Sequence, residues 1–570
     1  MAGRLDGVLA DSRLRAWAIA AAPFALVAIV ALASRLKYAL FTYHDTYASG
    51  DAHLVITKAM FVARGEWRPP IELGGPATIF SDPPFIPLLL GAIEKATSLP
   101  MFAIPAIVTS VLTIAALCAL YAVCRRALDP ATALVGVCLL ALLPRFSMDS
   151  TEPDKAIYVV SFFTIALYFL YAAQTRPRMY LLAGAFVGLS AFSHTTGYIF
   201  VGVYLIAHAA ITRGTERRLL DRWFVAGLAF PLILILAYVQ LNDAFQRTAV
   251  TATAGVAVTA PLPVTTPVAG ADAPTLPVPP PENRHRFVPG SIQLYYDNVK
   301  GLAERGFKGS AWNLYFEGIR TQATTPVYVL AVLGFAGAAV VVARRRRYEM
   351  LPLMLWMLLV TLAFAIQHPA ASHSTRYPTY VTPMFVLFAA YAVVGGARLL
   401  VQRTEASMRP WYFGAAVAPV VALIAAAYSM SNASGQRKLY APHDRMASYI
   451  EAHHLLGEGS GLLYMAWPST TVALLEDHPE YEPYLRTYGW GSTPLSQYTE
   501  QWARENGIRY FALDHTGTDY FNTSVFMFAQ LKTQFTLKRV QTFCGTEHGQ
   551  PGDATTCGES YSVLLELAPK

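Results

Sequence analysis

Apolar runs of membrane-span length alternate with short polar breaks through the first three quarters of the chain. We read spans over 16–40, 101–124, 132–145, 155–174, 179–194, 196–212, 223–242, 326–343, 349–367, 378–398 and 410–430. That is about eleven crossings, set against the ~20 residues a perpendicular helix needs. The apolar stretch PPFIPLLLGAIEK at 83–95 is too short to cross and predicts an interfacial or partly inserted helix. Upstream, within loop 41–82, Leu54, Ile56, Ala59, Met60 and Ala63 recur at helical spacing and predict a helix lying on the membrane surface. In loop 243–325, the Thr/Ala/Pro/Val tract at 250–281 has nothing to pack and predicts extended or disordered chain. From about 432 the pattern changes. GLLYMAWP, IRYFALDH and SYSVLLEL read as strands and YTEQWAREN as a helix. The expected architecture is a membrane domain over 1–431 followed by a small α/β domain over 432–570.

Composition agrees with this pattern. The 570 residues are 54% hydrophobic and only 14% charged, with mean hydropathy +0.37. Soluble globular chains average roughly 25% charged residues. The net charge of +7 is mostly loop arginine, so it reports orientation and gives no reason to expect a nucleic-acid partner. Arginine clusters sit at Arg4/Arg13/Arg15, Arg125/Arg126, Arg176/Arg178, Arg213/Arg217/Arg218/Arg222, Arg344 to Arg347 and Arg398/Arg403/Arg409. By the positive-inside rule these loops and the N-terminus are cytoplasmic, with the first span serving as an uncleaved anchor. The intervening loops, and the C-terminal domain, then lie outside an inner or plasma membrane. Of the five cysteines, Cys118, Cys124 and Cys138 fall in apolar runs. Cys544 and Cys557 fall in the C-terminal domain, and an oxidising exterior predicts a disulfide between them.

The external loops carry the candidate chemistry. Asp51 follows Gly50 just outside the first span and is placed to act as a general base or to bind a metal that holds a phosphate. Its plain alternative is a solvated loop carboxylate. Glu152 and Asp154 open the fourth span, placed to share a cation or simply to cap the helix, with Pro153 as the helix starter and Arg145 close enough to pair with them or with a phosphate. Arg376, flanked by His373 and Tyr377, lies on the outer side against the charge trend; an anionic ligand explains it, as does an arginine snorkelling at the interface. Glu317 precedes a span on the same side.

In order along the chain, these motifs resemble the GT-C glycosyltransferases, which use polyprenyl-linked sugars at the outer face of a membrane. The resemblance rests on Asp51 with Arg64-Gly65-Glu66-Trp67, SDPPFIPLLLGAIEK, Glu152-Pro153-Asp154, the hairpin LLAGAFVGLSAFSHTTGYIFVGVYL, and Arg376-Tyr377 to Pro383. It spans roughly 10–430. The protein O-mannosyltransferase and aminoarabinose-transferase branch uses a monophosphate donor and commonly has an Asp-Glu pair where this chain has Gly50-Asp51. The oligosaccharyltransferase branch uses a diphosphate-linked glycan and a divalent metal, and the chain lacks its WWDYG motif. The first branch is therefore favoured. It implies an inverting transfer with Asp51 catalytic, Arg376 and Arg145 on the lipid phosphate, and Glu152, Asp154, Tyr377, His373 and Glu317 around the substrate. Mg2+ or Mn2+ at Asp51 and Asp154 is the cofactor it allows. Its partners are a polyprenyl-phosphate sugar, a lipid, glycan or protein acceptor, and membrane lipids. A transporter or flippase of lipid-linked sugars is the alternative from another class; it would place charges at mid-membrane, whereas the acids here sit at span ends.

Overall fold

A computed structural model describes residues 12–42, 50–66, 83–101, 103–213, 221–256, 312–365, 377–403, 445–465, 474, 478–488, 499–516, 531–544 and 560–570. The helices are α1 (Ser12–Thr42), α2 (Gly50–Arg64), α3 (Phe85–Thr97), α4 (Ala103–Ala127), α5 (Pro130–Leu142), α6 (Pro144–Asp149), α7 (Lys155–Ala173), α8 (Met179–Ser193) and α9 (Gly197–Thr212). They continue as α10 (Arg222–Val256), α11 (Trp312–Ala323), α12 (Thr325–Arg345), α13 (Leu351–Ala365) and α14 (Thr382–Arg403). Among the described residues, six helices are long and apolar enough to cross a membrane, and four more apolar stretches are shorter. Ten of the predicted spans therefore coincide with helices; the last, 410–430, lies outside the described residues. The Pro-rich tract lies outside them too, except that α10 runs on to Val256. That extension replaces the extended chain expected from 250, because no helix-breaking proline occurs before Pro261.

Packing separates an inner helix from outer ones. The membrane-length window of α7 is 83% buried, whereas that of α12 is 17% buried. On α10, Leu232, Ile233 and Leu236 are exposed, Ile233 by 62%. Such apolar exposure suits a lipid-facing surface.

The two ends of the bundle differ. At one end the arginine-bearing turns meet. Arg398 pairs with Asp129 at 2.6 Å, Arg126 donates to the Tyr171 carbonyl at 2.9 Å, and the Tyr171 hydroxyl donates to the Glu349 carbonyl. The turn after α4, the end of α7 and the start of α13 are thus drawn together, as the charge pattern predicts. At the other end lie α6, the turn at His194–Thr196 and a 3-10 turn at Tyr377–Tyr380.

α2 and α3 pack against each other at this second end. Gly65 closes α2 with φ +82°, and the Gly65 and Glu66 amides return to the Val62 and Phe61 carbonyls at 3.0 and 2.8 Å. Gly91 of α3 lies so close to α2 that a Cβ there would meet the Ala59 carbonyl at 2.5 Å. The helix expected at 83–95 is therefore present and packed on a partner.

The C-terminal residues form a five-stranded mixed sheet in the order β2-β1-β3-β5-β4, from β1 (Gly461–Met465), β2 (Leu485–Tyr488), β3 (Ile508–Thr516), β4 (Phe535–Cys544) and β5 (Ser560–Pro569). β1 pairs parallel with β2 and β3; β5 pairs antiparallel with β3 and β4. A helix over 445–452 and the short helix Glu500–Glu505 accompany it. The sheet domain packs on the α2–α3 pair: Met446, Ile450 and Leu462 share an apolar cluster with Val55, Ile56 and Leu90, and Arg64 bonds Glu482 at 2.7 Å. Cys544 is disulfide-bonded, while Cys118, Cys124 and Cys138 are free. The predicted partner, Cys557, lies outside the described residues.

Candidate functional site

The acidic motif is built as a rigid buried loop. The Ser147 amide returns to the Leu143 carbonyl, and the Ser150 and Thr151 hydroxyls donate to the Ser147 and Met148 carbonyls, each at 2.8 Å. Glu152 is fully buried and Asp154 nearly so. Asp154 is the N-cap of α7: its Oδ1 accepts from the Ala156 and Ile157 amides at 2.7 and 3.3 Å. Pro153 therefore precedes the cap, which corrects its expected role as the first helical residue.

A carboxylate that motif reading missed lies at the centre. Asp149 is 1% exposed. Arg145 Nε lies 2.8 Å from its Oδ1, and Thr379 Oγ1 donates to its Oδ2 at 3.3 Å. Burial pushes the Asp149 carboxyl up to about 6; Arg145 opposes this, and Asp154 adds to it. Its only signal in the sequence was a third acid within MDSTEPD.

Thr379 brings the late motif to the same place. The Trp356 indole donates to the Tyr380 carbonyl at 2.9 Å, and the Tyr380 hydroxyl lies 3.3 Å from His194 Nδ1, which in turn is 2.8 Å from Thr196 Oγ1. Three stretches far apart in sequence thus converge: the acidic loop, the α8–α9 turn and the start of α14. Arg376 and His373 lie outside the described residues, as does the side chain of Tyr377. Their neighbours Thr379 and Tyr380 are held in the cluster.

α11 joins from the side. Tyr315 stacks on Phe364, which stacks on Tyr380, with ring centroids 5.8 and 5.1 Å apart. Glu317 on this helix is exposed and pairs with Arg320, so the described contacts do not bring it to the carboxylates. Asp51 lies in the first turn of α2, and its side chain is outside the described residues. The following residues Ala52 and Val55 belong to one apolar cluster with Tyr158, one turn beyond the Asp154 cap. The helix that carries Asp51 and the helix that Asp154 caps therefore share a packed core.

Arg35 is a second residue missed in the sequence. It faces inward from the outer part of α1 at 1% exposure. Among the described residues it donates to the Ala31 carbonyl at 3.0 Å, and its Nε and Nη2 have no hydrogen-bond partner there. The adjacent Ser34 hydroxyl donates to Ser147 of α6 at 2.7 Å. A buried guanidinium inside a membrane helix is costly.

Among the described residues no group of three or more His, Cys, Asp or Glu side chains gathers to hold a metal. Asp154 Oδ1 is already committed to two amides. The expected Mg2+ or Mn2+ site pairs Asp154 with Asp51, whose side chain lies outside the described residues.

Residues 81–240 match the family model described as dolichyl-phosphate-mannose-protein mannosyltransferase. Among solved structures, the oligosaccharyltransferase of Archaeoglobus fulgidus tethered with an acceptor peptide is similar at TM-score 0.53 and 15% identity, over 88% of this chain and 70% of that one. Its apo form gives TM-score 0.53 at 14% identity, over 86% and 69%. The chain thus has the fold of the GT-C membrane glycosyltransferases. ArnT from Cupriavidus metallidurans in the apo state is also similar, at TM-score 0.49 and 13% identity over 97% and 98% of the chains. No curated protein matches at a significant level.

Proposed function

We propose that the protein transfers a sugar from a polyprenyl-monophosphate donor to an acceptor hydroxyl or amine, with inversion, at the end of the bundle that holds Asp149. This end is taken as extracytoplasmic, because the arginine-bearing turns gather at the other. The observation that carries the reading is the convergence at Asp149, where a buried carboxylate, Arg145 and the start of α14 meet. The monophosphate preference follows from the dolichyl-phosphate-mannose-protein mannosyltransferase family model that matches 81–240.

In this reaction Asp51 takes the proton from the acceptor, whose oxygen or nitrogen bonds to the sugar's anomeric carbon from the face opposite the phosphate. The bond from that carbon to the phosphate oxygen breaks, and its electron pair leaves with the lipid phosphate. Arg376 and Arg145 stabilise the charge that develops there. Asp149 holds Arg145 in position. Glu152 and Asp154 position the sugar and acceptor, a task the resemblance extends to Tyr377 and His373; Glu317, paired with Arg320, takes no part in it. The lipid tail enters between spans and leaves the head group at the interface.

The test is incubation of purified protein with polyprenyl-monophosphate and polyprenyl-diphosphate sugars, with and without EDTA, beside Asp51→Asn. Release of lipid monophosphate by the wild type alone supports the reading. Release only from a diphosphate donor, blocked by EDTA, replaces it with an oligosaccharyltransferase-like activity. Full activity of Asp51→Asn removes Asp51 as the base. Failure of every donor leaves the transporter reading as the better one.

A further inference from the structure

We infer that a cavity at the arginine-bearing end, between the α7–α8 turn and the start of α10, binds the phosphate head of an anionic phospholipid. The cavity has a volume of about 340 Å3 and is lined by Arg176, Pro177, Arg178, Met179, Arg222 and Trp223. It lies at the far end of α7 from Asp154, about 28 Å away at 1.5 Å per residue, and is separate from the site above.

Charge is the first argument. Arg178 and Arg222 both place their guanidinium groups over the Trp223 indole, 5.8 and 5.5 Å from the ring centroid. Two cations on one ring repel, and Arg176 adds a third to the same cavity. Among the described residues none of the three forms an ion pair with a carboxylate. The nearest acid in sequence, Asp221, is engaged as a cap, its Oδ1 accepting the Trp223 amide at 2.8 Å. An anion of one or two charges in this cavity offsets the excess.

Shape decides which anion. The α7–α8 turn is held by its own bonds, from the Arg176 amide to the Ala172 carbonyl at 3.0 Å and from the Met179 amide to the Arg176 carbonyl at 2.9 Å. Leu182 of α8 and Val225 of α10, each three residues on in sequence from the cavity residues Met179 and Arg222, are exposed. These two helices are in close contact, since a Cβ on Gly184 would overlap the Gly227 carbonyl. A charged pocket with exposed apolar side chains about one helical turn away on both α8 and α10 fits a molecule with a phosphate at one end and acyl chains at the other. A free phosphate uses only half of this surface.

The experiment uses the full chain, delipidated in detergent. Thermal stability is followed with dioleoyl-phosphatidylglycerol, dioleoyl-phosphatidylcholine or inorganic phosphate added. Wild type is compared with Arg176→Gln/Arg178→Gln and with Arg344→Gln/Arg345→Gln, which removes charge from another turn at the same end. The expected result is a rise in Tm with phosphatidylglycerol and little with phosphatidylcholine. The lipid concentration giving the half-maximal shift rises at least tenfold in the first variant and is unchanged in the second. If the first variant is not monodisperse, Arg222→Gln, which leaves the turn untouched, gives the same comparison. Equal shifts with both lipids, or an unaltered response in the cavity variants, overturn the inference. The same shift with inorganic phosphate alone marks a soluble-anion site and overturns the lipid assignment.

Discussion

Thr379 and Asp149 lie 230 residues apart in sequence and share a 3.3 Å hydrogen bond, hydroxyl to buried carboxylate. The bond fastens the start of α14 to the acidic loop. It also helps to oppose the rise in Asp149's pKa that burial causes. Thr379→Val leaves shape nearly unchanged but removes the donor. We expect a loss of about 1 kcal/mol in stability and an upward move in the acid limb of the pH–activity profile. An unchanged limb would separate Asp149 from turnover.

Asp149 also gives a pH-dependent stability. Its folded value of about 6 stands above the ordinary 3.8. Between these values the folded chain holds a proton that the unfolded chain has released, so this group's contribution falls as pH rises toward 6 and stays low above it. Asp149→Asn has no such term. The difference in Tm, variant minus wild type, should therefore increase from pH 4 to pH 6 and level off by pH 7. A difference flat across that range would show that the carboxyl titrates normally.

At Asp154 the cap and the charge can be separated. Asp154→Ala removes the acceptor for two amides and should cost about 1 kcal/mol. Asp154→Asn keeps an oxygen for the amides and should restore most of that stability. Sugar transfer should remain low in both, and recovery of activity in the asparagine variant would reduce Asp154 to a structural cap.

Arg35 predicts opposite effects on stability and turnover. Replacing buried ionic groups with well-packed apolar side chains of similar volume is often neutral or stabilising, by up to ~4 kcal/mol. Arg35→Met should therefore raise Tm. If the open donors serve an anionic substrate, the same change weakens binding of the lipid phosphate by at least tenfold. A variant that is both more stable and fully active would make Arg35 a tolerated defect of the fold.

Much of the fold was legible because membrane helices announce themselves locally. Ten predicted spans coincide with helices, and α3 follows from a run of thirteen residues. β1, β3 and β5 were visible as apolar runs, but β2 is only four residues long and β4, FTLKRVQTFC, carries two cations on an exposed edge. Asp154 was legible because capping is decided within three residues. Asp149 was not, because its burial depends on Thr379 from a helix that arrives much later. Arg35 was hidden inside an apolar run, where composition does not tell an inward residue from one facing lipid.

The salt bridge from Arg64 to Glu482 has a consequence for anyone recombining this protein with a relative. The α2–α3 pair follows the first span in sequence, yet it supplies the surface on which the sheet domain rests. A chimaera joined at residue 432 would present a foreign domain to a surface shaped for another, and the helix bearing Asp51 would lose its support. The exchangeable unit is discontinuous: the C-terminal domain should travel together with residues 50–66 and 83–101.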